Sequence, residues 1–310
     1  MTTHGHGHSH SHVPGAEDHR GRLAVVLAIT ATILVLEVIG AAVTGSLALL
    51  ADAGHMLTDA AGLVVALGAA WLMRRPATSR RTWGYVRAEV LAATAQSAVL
   101  LAVGVFVLVE GVRRLLEPPA VSSGPMLVFG AVGLVGNVVS MAVLLTGRRT
   151  SLNTRAAFLE VTNDALGSVA VLVAAVVIAT TGWTRADAVV SILIAALILP
   201  RTLLLLRETT DVLLESTPKG LDLDAVRKHI LSLPHVNGVH DLHASQLGTG
   251  LPVLTAHVVV EEDCFRHGDL PAMLDRLQSC VADSFGVVVE HSTFQLEPVG
   301  HEGHESAAHS

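Results

Sequence analysis

Charge is what this sequence has least of. Only 15% of its 310 residues are Asp, Glu, Lys or Arg, against roughly a quarter in soluble domains. Hydrophobic residues make up 51% and the mean hydropathy is +0.56. A wholly water-soluble chain is thereby excluded. Cysteine is nearly absent: Cys264 and Cys280 stand alone, without CxxC spacing, which excludes a disulfide framework. Lysine is almost missing too, at two residues against eighteen arginines, a bias that points to a GC-rich genome. The first twenty residues are polar and His-rich, so no secretory leader with an apolar core is expected there.

What is there comes in blocks. Six apolar stretches, at about 23–44, 46–73, 87–116, 122–146, 153–181 and 184–206, each reach the roughly 20 residues needed to cross a ~30 Å hydrocarbon layer. Their all-round apolar composition lacks the alternation of a membrane barrel, and a spanning helix satisfies its own backbone. Six transmembrane helices are predicted. With the N-terminus inside, twelve arginines flank the inner ends, among them Arg74, Arg75, Arg80, Arg81 and Arg201. Only Arg113, Arg114 and Arg185 fall outside. That bias predicts cytoplasmic N- and C-termini in a cell (inner or plasma) membrane.

The chain divides into four zones: a disordered His-rich tail at 1–21, the membrane domain at 22–207, a cytoplasmic domain at 208–298, and a His-containing tail at 299–310. Helical spacing in "LDLDAVRKHILSL" and "LPAMLDRLQSCVADSF", with strand-like "VHDLHASQL", "VLTAHVVV" and "VVVEHSTFQL", predicts the order αββαβ. The fold class is therefore an α-helical membrane protein with a small α+β domain, helices on one face of three strands. Dimerisation would enlarge its modest core. The tails read equally as weak metal capture or as spacer.

"LADAGHMLTDAAG" puts Asp52, His55 and Asp59 inside the second block. At about 100° per residue they fall near 0°, −60° and −20°, on one helical face. Each costs about 2.5–3.5 kcal/mol at the centre of a spanning helix. The fifth block repeats the device in "AAFLEVTNDALGS", with Glu160 and Asp164 four apart and Asn163 adjacent. Two such pairs on antiparallel helices form a four-ligand cage. Imidazole nitrogen with carboxylate oxygen suits Zn²⁺ and neighbouring divalent metals. Because metal binds deprotonated ligands, the cage exchanges metal for protons, with His55 as the side chain titrating nearest neutrality. Asp52 reads either as an accessory relay or as a cap or loop hydrogen bond. Glu37, Glu110 and Asn137 read as interhelical hydrogen bonds.

"SLALLADAGHMLTDAAGL", "RRPATSRRTWGYVRAE", "NTRAAFLEVTNDALGSVAVL" and "GVHDLHASQLGTGLPVLTAHVVV" resemble signature segments of the cation diffusion facilitator transporters, in order from about residue 20 to 298. The resemblance implies a dimeric divalent-metal exporter, of zinc above all, working by metal/proton antiport with His55, Asp59, Glu160 and Asp164 at the transport site. Glu160 stands where zinc-transporting relatives carry histidine. The deprotonated, metal-loaded site is then formally −1 rather than neutral, and buried excess charge favours a retained proton or an Asn163 partner. The donor set is also harder, which brings Co²⁺, Mn²⁺ and Fe²⁺ into view.

Seven histidines fall in the cytoplasmic zone: His229, His235, His240, His243, His257, His267 and His291. Alternation places His243, His257 and His291 on the polar face of the sheet. The resemblance adds His240 and His257 as regulatory metal ligands, and aligns the further ligand of the last strand with apolar Phe294. Each of these histidines reads equally as surface polarity. Cys264 reads as a soft ligand or as a packed residue. No enzyme is expected, since HExxH is absent, and no nucleic-acid partner. A membrane metal sensor without transport is the competing class; it needs the cytoplasmic histidines but not the mid-membrane pairs.

Overall fold

The computed structural model describes residues 16–145, 152–283, 287–289 and 291–301; both tails predicted at the sequence level lie largely outside these residues. Six long helices come first: α1 (Ala16–Thr44), α2 (Leu47–Met73), α3 (Ala88–Leu116), α4 (Ser123–Leu145), α5 (Leu152–Thr181) and α6 (Arg185–Leu213). All six are long and apolar enough to cross a membrane. They follow the six predicted blocks, except that α1 starts earlier and α6 runs on to Leu213. Gly45 and Gly182 close α1 and α5 with φ of 71° and 68°, each donating its N–H back four residues to Ala41 and Ile178, a conformation glycine adopts without Cβ strain.

The chain folds as two compact units. The first comprises residues 1–61 and 99–202, and its burial is inverted relative to a water-soluble domain. Leu166 and Leu197 are 64% and 72% exposed, whereas Glu37, Asp52, Asn137, Asp164, Ser168 and Asp187 are buried. Apolar side chains turned outward and polar ones turned inward fit a lipid surround. Helix α4 packs on α1 and α5. Small residues permit the approach: Phe129 lies over Gly40, and Ile33 over Gly136. The N-terminus of α2 is capped from another helix. Asp187 near the start of α6 accepts from Ser46 Oγ and from the backbone N–H groups of Leu47 (2.8 Å) and Ala48 (3.2 Å).

The second unit comprises residues 62–98 and 203–310. Its later part contains α7 (Leu223–Leu231), β1 (Val236–Gln246), β2 (Pro252–Val260), α8 (Glu262–His267), α9 (Leu270–Asp283) and β3 (His291–Pro298). The predicted αββαβ order holds with one addition. Helix α8, six residues of "EDCFRH" closed by Gly268 in the left-handed region, is too short to show a helical period. Asp222 caps α7, accepting from the N–H groups of Asp224 and Ala225. The sheet order is β1-β2-β3, with β1 and β2 antiparallel and β2 and β3 parallel. Val226 and Ile230 of α7 and Leu277 and Val281 of α9 bury against Leu254 and Val258 of the sheet. The opposite sheet face is left polar. The segment between α2 and α3 belongs to this unit as well: Val86 lies against Gly248, and Arg87 pairs with Glu215.

Candidate functional site

Two groups of donors are distinguishable. In the first unit, His55 is partly buried on α2 and opens onto a small cleft lined by Ala51, Val103, Val107 and Ile194. Thr58 Oγ1 donates to the His55 carbonyl at 2.7 Å and stays on its own helix. Ala195 and Ile198 of α6 line the same cleft, and Glu160 of α5 and Arg201 of α6 lie within electrostatic range of His55. The sequence reads Arg201 only as an inner-flank charge. Asp59 lies four residues along α2 from His55, and its side chain lies outside the described residues. On α5, Asp164 is buried, while Glu160 and Asn163 are exposed.

Asp52 has other company. It is 2% exposed and lies against Gly167 of α5, between helices, and the capping of α2 falls to Asp187. Asn137 Nδ2 donates to Ser168 Oγ at 3.3 Å. Glu110 binds Arg114 at 3.0 Å. Asn137 thus makes the interhelical hydrogen bond that the sequence predicts, whereas Glu110 pairs within its own helix and neither Glu37 carboxyl oxygen has a hydrogen-bond partner.

The second group sits on the polar face of the sheet. His240 on β1 is opposite His257 on β2, with ring centroids 5.0 Å apart. One donor atom each from His240, Asp241 and His257 lie within 4.8 Å of one another. Asp241 joins because β1 is irregular between His240 and His243 and Asp241 takes φ 46°; the extra residue turns two neighbours toward the same region. Glu297 of β3 completes the group. It is 1% exposed, with Oε2 3.2 Å from His240 Nε2 and Oε1 2.8 Å from His257 Nδ1. Gln295 steadies it, donating Nε2–H to Oε1 at 2.8 Å.

A carboxylate taken out of water needs compensation. Two imidazole nitrogens, a second carboxylate and the buried Glu297 form a donor set of the nitrogen–oxygen kind that holds Zn²⁺. Sequence reasoning missed Asp241 and Glu297. The signal for Glu297 was available in the alternation of "HSTFQLEP", which puts His291, Thr293, Gln295 and Glu297 on one face with Phe294 turned into the core. The structure leaves His243 and His291 outside this group. His243 is exposed opposite Thr255, and His291 meets Trp83 edge-on at 4.8 Å. His235 pairs with Glu261 at 2.8 Å, and His267 Nδ1 lies 3.0 Å from the Asp263 carbonyl. Cys264 and Cys280 are buried, and burial pushes both thiols up. They remain protonated and packed, and thiolate ligation is not favoured.

Known proteins resemble the chain over nearly its whole length. Residues 23–214 match the family model for the cation efflux transmembrane domain, and residues 218–299 that for the cytoplasmic domain of cation efflux proteins. Over 298 residues the chain is 42% identical to the metal cation efflux system protein CzcD of Cupriavidus metallidurans, covering 95% of this chain and 93% of the relative. It is 39% identical over 283 residues to the zinc transporter ZitB of Escherichia coli, covering 91% and 88%. Identity to the cadmium, cobalt and zinc/H(+)-K(+) antiporter of Bacillus subtilis is 37% over 231 residues, or 74% of each chain.

Proposed function

Because this chain belongs to the cation diffusion facilitator family, a multi-pass membrane family of metal cation efflux proteins, we propose that it exports Zn²⁺ from the cytoplasm in exchange for protons. The observation that carries this reading is the placement of ionisable i,i+4 pairs, His55 with Asp59 and Glu160 with Asp164, on two helices built to span a membrane. The electrostatic reach of Glu160 to His55 supports their convergence. The chain works as a homodimer in the cell membrane with both termini cytoplasmic, and 22–207 and 208–298 are its transport and regulatory domains.

The exchange follows from ligand chemistry. Imidazole and carboxylate coordinate a metal only when deprotonated, so loading releases protons and protonation releases metal. Glu160 adds a third carboxylate to the four donors. The carboxylate-rich set supports a second reading, Co²⁺ or another harder divalent ion as cargo, and one relative carries cobalt in its name. The group at His240, Asp241, His257 and Glu297 takes a second metal ion, whose binding favours one conformation of the transporter.

Metal uptake into everted membrane vesicles tests the whole reading. Asp59→Ala abolishes zinc uptake, while Glu160→His retains it and shifts preference toward zinc over cobalt. Zinc uptake by Asp59→Ala at the wild-type rate would leave the sensor class in place of the transporter.

A further inference from the structure

The membrane unit holds a second polar chamber that the proposed metal cage does not use. Glu37 of α1 and Asp52 of α2 are 1% and 2% exposed, and both Glu37 carboxyl oxygens and Asp52 Oδ2 lack a hydrogen-bond partner. Facing glycines make the room. A Cβ on Gly133 of α4 would lie 2.7 Å from Glu37 Oε1, and one on Gly167 of α5 would lie 2.5 Å from Asp52 Oδ1. A side chain at either position would evict a carboxylate. Ser168 holds Asp52 and accepts from Asn137. Asn137, one turn along α4 from Gly133, is fully buried and its Oδ1 has no partner. Acceptors thus outnumber donors in this buried place, and among the described residues no lysine or arginine pairs with Glu37 or Asp52.

Two buried carboxyl groups on either side of Ser168, with no cation beside them, need a proton, because two nearby carboxylates in a low-dielectric interior repel strongly. We propose that Glu37 and Asp52 form a second cation site, specific for a proton, that gives up this proton when metal loads the cage of His55, Asp59, Glu160 and Asp164. The proposal rests on the metal/proton exchange reading. The titratable groups facing the pair are Asp164 on α5 and His55, three residues from Asp52 on α2; α4 contributes only the neutral Asn137. A dication on Asp164 brings positive charge toward Glu37. The O–H bond of the protonated carboxyl then breaks, the proton passes to water, and two carboxylates remain beside the metal.

Infrared difference spectroscopy on the purified full-length protein tests this, with ZnCl₂ as the probe. The metal-free wild type should show the C=O stretch of a protonated carboxylic acid at neutral pH, and zinc should remove it. The double variant Glu37→Gln/Asp52→Asn should lack the zinc-sensitive band. A wild-type band that ignores zinc, or a zinc-sensitive band that survives in the double variant, overturns the proposal. In proteoliposomes with a trapped pH dye, Glu37→Gln should move about one proton fewer per zinc than wild type; unchanged stoichiometry also overturns it. Wild-type protein that moves zinc without any proton would overturn the antiport reading instead, and the infrared band tests the pair independently of that result.

Discussion

Glu297 is the residue whose environment says most. A carboxylate 1% exposed between two imidazoles is worth keeping only with positive charge close by. In the full-length protein, Glu297→Gln is expected to weaken zinc binding at this group by about 10- to 100-fold, the usual cost of losing a group that ligates or orients a ligand. His243→Ala and His291→Ala should leave it unchanged. Isothermal titration on the transport-dead Asp59→Ala background isolates the cytoplasmic group, and equal affinity for Glu297→Gln and its parent would refute the assignment. His240 and His257 were legible in the sequence through strand alternation and family likeness. The face that carries Glu297 was legible in the same way, but its partners were not, because they come from β1 and β2, and the parallel pairing of β3 that brings it there depends on α9 crossing back over the sheet. Asp241 was hidden by an irregularity that no periodic pattern announces.

Elements here are set by contacts remote in sequence. Helix α2 carries half of the proposed metal cage, and its first turn is held by Asp187, about 140 positions away. Asp187→Ala leaves the Leu47 and Ala48 N–H groups without their acceptor. It should destabilise the protein by about 0.5–2 kcal/mol, the range for losing a cap, read as a shift of the denaturation midpoint. Asp187→Asn, which keeps one acceptor oxygen, should cost less. Gly133→Ala and Gly167→Ala probe the opposite fault, excess volume: each drives a methyl into a carboxylate and should cost about 1–3 kcal/mol, as overpacking does. A midpoint unchanged in both alanine variants would mean that the chamber is wider than described. The six long helices could be read from hydrophobic blocks alone, since the bilayer sets a minimum length that few other contexts require. The cap and the chamber could not, because both depend on which helices are neighbours, and composition carries no record of that.

At the scale of the whole molecule, the proposed metal would be a ligand of the folded state. Zinc at 100 times the dissociation constant of the cytoplasmic group should add about 2.7 kcal/mol to the stability of the unit that holds it. Chelation should lower the melting temperature of wild-type protein, and His240→Ala/His257→Ala should erase most of that difference; a chelator shift as large in the double variant would place the stabilising metal elsewhere. The surface tells the same story of two environments: outward leucines and valines along α3 to α6, and a polar sheet face in the second unit.

The order in which the two donor groups come into existence during translation differs sharply. His55, Asp59, Glu160 and Asp164 have all been synthesised once α5 is made, whereas Glu297 lies on the last strand, after α9. Domains fold largely as they emerge, N-terminal portions first. A nascent chain would therefore own all of the proposed membrane donors well before the proposed cytoplasmic group could close around an ion, and β1 with β2 must wait, with two histidines and no buried carboxylate, for β3 to arrive alongside. During that interval any zinc captured in the cytoplasm by His240 and His257 is held without its deepest ligand, and a newly made chain should exchange it readily with free metal until the third strand is in place.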